Sequence, residues 1–276
     1  MYWISTRHLT SCWIVSTKCQ TTLNGHSKSL AVGVVDRLSD MSEIIRANTV
    51  LPAVRTPFTV RTADGLTLIG EIARPLDKPT GAILCLHPLP TAGGMMDSHL
   101  FKKAANRLPA LAGISVVRFN TRGTASDAGR SEGHFDNGVG EGLDLQAMLS
   151  YCFDELQLTN LWVVGWSFGT DLALQHAKDP RHKGLILLSP PLRTSTPEQL
   201  MYWNSDSRPM IALIPEFDDY LPPAQARQRF SPIEHIELIA VDGAKHLWVG
   251  EPSVYRVLSE IVRRVAPERL PLPTQF

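Results

Sequence analysis

Cysteine is scarce in this chain of 276 residues, with four in all: Cys12, Cys19, Cys85 and Cys152. None forms a C-x-x-C pair, which excludes a dense disulfide framework and the common zinc-ribbon patterns. Cys85 sits inside an apolar run and Cys152 in a helical pattern, so both read as small core residues. That usage points to a reducing compartment, the cytoplasm. Net charge is also missing: 27 Lys and Arg balance 27 Asp and Glu. A neutral chain argues against nucleic acid and against a polybasic membrane contact. No apolar stretch approaches the roughly 20 residues of a membrane span. Repeats and low-complexity linkers are absent, so residues 50–270 read as one domain, long enough to bury a full core. The expected partner is a small-molecule substrate; nothing in the sequence indicates an oligomeric state.

The first forty residues differ from the rest. "MYWISTRHLTSCWIVSTKC" and its continuation are rich in Ser, Thr and Cys and keep no sustained period. The apolar "CWIV" is too short for the core of a signal peptide. At Met41 the character changes. Residues 1–40 are expected to be a loosely ordered extension, either an upstream addition to an assigned reading frame or a real arm, and 41–276 the folded domain.

Two alternating runs in "FTVRTADGLTLIGEIARP" meet at Ala63-Asp64-Gly65, a hairpin signal. Further on, "GAILCLHP" is apolar without alternation, as in a strand buried on both faces. Strand-like and helix-like segments then take turns. "DSHLFKKAANRLPALAG" is helical with a stop at Gly113, and "ISVVRFN" is a strand. Residues 121–137 form a Gly-, Ser- and Asp-rich loop, with a helix start at Asp136 or Asn137. "LWVVG" is a strand and "FGTDLALQHAKD" a helix. "GLILLSPP", "RPMIALIPE" and "IEHIELIAV" are strands, the last including His235. "PPAQARQRF" is a short helix, and "EPSVYRVLSEIVRRVA" is the closing one. Such alternation implies right-handed βαβ units and a mostly parallel, doubly wound sheet with helices on both faces.

In "LWVVGWSFGTDLALQHA" a strand becomes a helix around a serine set between two glycines. A parallel sheet gathers the carboxyl ends of its strands at one rim, where reacting groups belong. Residues 165–169, G-W-S-F-G, match a nucleophile elbow, in which a sharp strand-to-helix turn exposes the serine Oγ. The bare pattern is a weak signal; the strand before it and the helix after it make it a strong one. Gly165 and Gly169 avoid a side-chain clash across the turn. Ser167 is thus the candidate nucleophile, and a serine needs a base. The elbow orders the partners Ser, then Asp or Glu, then His. His246 follows the last strand and precedes the last helix, so it is the candidate base. His176 reads as structural. His8 and His26 lie in the atypical N-terminus, and His99, His134 and His182 lack a strand-end setting. The acid should come from Glu216, Asp218 or Asp219, to hold the imidazole tautomer.

Taken together the chain resembles the α/β-hydrolase superfamily over about residues 55–268. It is most similar to small single-domain bacterial hydrolases near the dienelactone-hydrolase and serine-esterase groups. "HPLPTAGGMMDS", "RFNTRG", "GRSEGHFDNGVGE", "GWSFG", "FDDYLPP" and "GAKH" carry the resemblance. Dienelactone hydrolases proper use a cysteine nucleophile, and position 167 is serine, so that activity is not carried over. The resemblance implies Asp218 as the acid, from its D-x-x-x-P-P spacing, with Asp219 the main rival. It implies an oxyanion hole from the N–H groups of Leu89 and Phe168; Pro90 has no N–H to offer. His87 then braces the loop, and Gly93 and Gly94 let it pass close to substrate. Extra residues around Ser126 and Asp127 either shape a pocket wall or form a plain surface loop.

The gap from Leu192 to Arg208 is too short for a helical lid, so no cap domain is expected and the site should be open, with Trp166, Phe168, Met95 and Met96 lining it. The expected activity is a serine hydrolase acting on small carboxylic esters or thioesters, with no cofactor and no metal. Peptidase or acyl-transfer work on the same fold is the alternative, and a non-catalytic binding protein the third reading. Fold alone does not separate them.

Overall fold

Continuous apolar runs form the centre of the sheet because both of its faces are covered. The computed structural model describes residues 43–276; the extension expected over residues 1–40, with Cys12 and Cys19, lies outside them. Strand β3 (Gly81–Leu86) shows the principle. Ala82, Leu84 and Leu86 join one core cluster, while Ile83 and Cys85 join the other. The same two-residue period sorts β7 (Leu161–Trp166), β8 (Leu185–Leu188) and β9 (Met210–Phe217) between the two cores. Side chains alternate across a strand, so a strand buried on both sides must be apolar throughout.

Eight strands make one sheet in the order β1-β2-β4-β3-β7-β8-β9-β10, while β5 (Ala125–Ser126) and β6 (Gly129–Arg130) pair apart from it. The hairpin of β1 (Val54–Arg61) and β2 (Thr67–Arg74) supplies the antiparallel edge, turning through Gly65 at φ +87°. From β4 (Ile114–Phe119) onward all pairings are parallel, ending at β10 (Glu237–Lys245). Helices α1 (His99–Ala112) and α6 (Glu251–Val265) cover one face. Helix α6 does so with Val254, Val257, Leu258, Ile261, Val262 and Val265, an i, i+3, i+4 stripe. The opposite core takes residues of α2 (Glu141–Ser150), α3 (Phe168–His176), α4 (Pro197–Asn204) and α5 (Pro223–Arg229).

Pro109 interrupts the ladder of α1, leaving the Ala105 carbonyl without its usual donor. The Arg55 guanidinium lies 3.4 Å from that carbonyl and takes the place of the missing N–H. Residues 43–45 pair with the other end of the chain: Glu43 N donates to Phe276 O, and Ile45 N to Thr274 O. Among the described residues no helix is long and apolar enough to cross a membrane.

Two local expectations are corrected. The last strand begins at Glu237, so His235 is not a strand residue. It sits in a turn, where its Nε2 meets the Arg208 carbonyl at 3.2 Å. Ile236 N donates to the Ile233 carbonyl and closes that turn, directly after the one that holds Pro232. Helix α2 starts at Glu141 rather than at Asp136 or Asn137. The Glu141 carboxylate folds back to accept from Asp136 N and Gly138 N, fixing a turn ahead of the helix. The span from Leu192 to Arg208 holds a short helix, α4, started by a capping box between Thr196 and Gln199. It is no lid: Leu200 and Trp203 are buried in the core, and the Trp203 indole donates to the Leu174 carbonyl.

Candidate active site

Three parallel strands end on the same rim of the sheet, β7 separated from β9 and β10 by β8, and each delivers one polar residue at its carboxyl end. Ser167 follows β7, Asp218 follows β9 and His246 follows β10. Ser167 adopts φ 52° and ψ −118°, a region that L-residues rarely occupy. Neighbouring bonds hold it there. Ser167 N donates to Leu188 O, extending the β7–β8 ladder by one residue. The Ser167 carbonyl accepts from the amide of Thr170 at 2.8 Å and from its hydroxyl at 2.6 Å. The two glycines are required by close approach. A Cβ on Gly165 would meet the Gly169 carbonyl, and one on Gly169 would strike the Leu86 carbonyl of β3.

The Ser167 hydroxyl lies 2.9 Å from His246 Nε2, and His246 Nδ1 lies 2.9 Å from Asp218 Oδ2. Both partners are buried, His246 to 6% exposure and Asp218 to 7%. Burial pushes the Asp218 carboxyl up. The bond to His246 and the amides of Tyr220 (2.8 Å) and Leu221 (3.1 Å) outweigh it, holding the group below its ordinary value and therefore ionised. Asp219 is exposed, so the structure brings Asp218 rather than its neighbour to the imidazole.

The backbone under the imidazole is clamped from two elements. The His246 carbonyl accepts from the Trp166 indole at 3.1 Å and from the Ser189 hydroxyl at 3.0 Å. A third clamp sits one residue on, where His99 Nε2 donates to the Leu247 carbonyl at 2.7 Å. The Tyr220 ring stands edge-on to the imidazole, 4.5 Å between centroids. Sequence reasoning missed Tyr220, Ser189 and the indole bond, since none follows from spacing along the chain.

Phe168 opens α3, where the first N–H groups have no helical partner and the helix dipole favours negative charge. Leu89 precedes a single helical turn at Pro90–Ala92. Its carbonyl accepts from Ala92 N and Gly94 N, while its own N–H makes none of the loop bonds. Both Leu89 and Phe168 line the cleft beside Ser167. Gly93 has φ +83°, and a Cβ on Gly94 would strike the Pro88 carbonyl. These glycines let the loop close on itself, and both also line the cleft.

His87 braces this loop from beneath. Its Nδ1 donates to the Pro88 carbonyl at 2.8 Å, and its Nε2 accepts from Thr121 N at 3.1 Å. Burial lowers its pKa from the ordinary 6.5 to about 4, so the ring is neutral. Between those values the unfolded chain binds a proton that the folded one does not. This contribution to stability is therefore complete above pH 6.5 and is lost as the pH falls toward 4. It amounts to about 3 kcal/mol. Urea unfolding at pH 7.5 and pH 4.5 should show His87→Gln losing less stability on acidification than the parent chain. Equal losses would mean that His87 is not buried neutral.

The cleft has a volume of about 520 Å³. Trp166 and Phe168 line it as expected; Met95 and Met96 do not, and Met96 is buried. From the loop at 121–137 only Phe135 and Asn137 reach it, Phe135 edge-on to Phe168 at 5.4 Å. The extra residues around Ser126 instead form a small hairpin, Ala125–Ser126 with Gly129–Arg130. Arg122 ties its base to the fold through Asp144 and Asp64. His176 bonds the Gly138 carbonyl, away from Ser167. Cys85 and Cys152 are free and buried, and burial pushes both thiols up. Among the described residues no three His, Cys, Asp or Glu side chains are grouped to hold a metal ion.

Comparison with known proteins agrees with this architecture. A serine hydrolase homologue from Coxiella burnetii superposes with a TM-score of 0.64 at 27% identity, covering 76% of this chain and 97% of its own. A serine hydrolase without lid from Xanthomonas campestris superposes with a TM-score of 0.62 at 25% identity, covering 79% and 97%. An uncharacterised protein of Rickettsia prowazekii (strain Madrid E) is 34% identical over 131 residues, 45% of this chain. The match spans about half of that curated relative, 51% of its length. Residues 81–254 match the family model described as the alpha/beta hydrolase fold, and the protein belongs to that family.

Proposed function

We propose that the protein is a serine hydrolase of small carboxylic esters or thioesters. The observation that carries this reading is the unbroken hydrogen-bonded line from Ser167 Oγ through His246 to Asp218. In it Ser167 attacks the acyl carbon as His246 takes its proton. Asp218 holds the Nδ1–H tautomer and stabilises the imidazolium. The N–H groups of Leu89 and Phe168 receive the developing oxyanion, and His246 returns the proton to the leaving group. Water then repeats the sequence on the acyl-enzyme. None of these steps calls on a metal or cofactor.

The open cleft supports small substrates. No residue of α4 lines it, and a long acyl chain gains its roughly 25 cal/mol per Å² only where it is removed from water. The Xanthomonas relative is itself a hydrolase without lid. Hydrolysis of 4-nitrophenyl esters should therefore favour short acyl chains, with kcat/KM declining beyond about six carbons. A value still rising at dodecanoate would contradict the open site.

A further inference from the structure

The loop after β8 is pinned more tightly than the fold needs. Ser189 and Leu192 both hold positive φ, 49° each, without being glycine. The Leu192 carbonyl accepts from the Arg229 guanidinium at 2.7 Å. Buried Asp171, on α3, collects the next turn: its carboxylate accepts from Arg193 N, Ser195 N and the Ser195 hydroxyl. Thr194 is held as well, its hydroxyl accepting from Gln175 Nε2 at 2.8 Å. Strained backbone of this kind persists where surrounding contacts over-determine it, commonly beside a functional site.

This anchored loop presents Arg193. It is the one lysine or arginine among the described residues that line the cleft, and its side chain is exposed. Among the described residues its guanidinium forms no ion pair, and it lies 5.9 Å from the Tyr220 ring. The same ring lies 4.5 Å from the His246 imidazole, so the guanidinium is no more than about 10 Å from it. Asp171, the carboxylate on the same wall, already has both oxygens engaged by the loop. A planar, permanent cation on a fixed backbone, with no acceptor on its donors among the described residues, suits a carboxylate.

We infer that Arg193 is a specificity-determining residue that binds a carboxylate carried by the substrate's acyl part. The preferred substrate is then an acidic ester, such as the half-ester or half-thioester of a short diacid. This rests on the hydrolase reading above and adds the charge of the substrate to it.

The test compares the mono-4-nitrophenyl ester of glutaric acid with its counterpart in which the free acid is a methyl ester. At low ionic strength the parent chain should hydrolyse the acid with kcat/KM about tenfold above the methyl ester. Arg193→Gln should bring that ratio to one or below, and Arg193→Lys should retain part of it. A parent ratio at or below one, with the methyl ester still turned over, overturns the carboxylate site and leaves the hydrolase reading standing. So does an Arg193→Gln variant that keeps the parent ratio. Hydrolysis of neither ester by folded protein overturns both.

Discussion

Ser167→Ala is expected to lower ester hydrolysis by on the order of 10⁴-fold or more while leaving the melting temperature nearly unchanged. The hydroxyl is one atom of a bonded line, and without it the imidazole has nothing to activate. Alanine keeps the Cβ, so the turn at φ 52° stays as strained as before. Ser167→Gly extends the comparison. It should be as inactive and at least as stable, because glycine enters this region freely. Steady-state kinetics with 4-nitrophenyl acetate and thermal melts of the three proteins give both readings. Retained activity in either variant would move the nucleophile elsewhere.

The second large effect separates two adjacent carboxylates. Asp218→Asn should cost on the order of 10³- to 10⁴-fold in kcat, because an amide facing Nδ1 favours the wrong tautomer of His246. Asp219→Asn should stay within about twofold, as expected of an exposed side chain away from the bonded line. The reverse ranking, in two folded variants, would assign the acid to Asp219.

How far each feature could be read in advance follows from its range along the chain. The runs at 81–86 and 161–166 are legible because a strand buried on two faces has no polar position to disguise it. The elbow is legible because strand, serine, glycines and helix are contiguous. His246 could be picked out because it follows the last strand and precedes the last helix. Choosing Asp218 over Asp219 needed the family resemblance, since periodicity does not resolve one residue. The capping box of α4, Thr196 with Gln199, is a local signal for a helix, but for one too short to form a lid. The strand start near His235 was misplaced because apolar residues at 233 and 236 imitate a strand while the backbone is still turning. Arg193, Tyr220 and Ser189 had no local signature. They face the site only because β8, β9 and β10 are neighbours in the sheet.

Most of the polar atoms around Ser167 already have partners in the fold. The His246 carbonyl, the Asp218 carboxylate and the Asp171 carboxylate are each bonded by two or more donors. The groups without such partners among the described residues, the Leu89 and Phe168 N–H and the Arg193 guanidinium, are those proposed to bind substrate. Preorganisation of this kind lets an electrostatic site act without rearranging as charge develops.

The central claim, that Ser167 is an activated nucleophile, is tested most directly by covalent labelling with a fluorophosphonate and mapping of the modified peptide by mass spectrometry. A hydroxyl activated by His246 should give one adduct, on the peptide containing Ser167. Labelling should be lost in Ser167→Ala and strongly slowed in His246→Ala. A folded protein that takes up no label, or takes it up on another residue, would contradict the account.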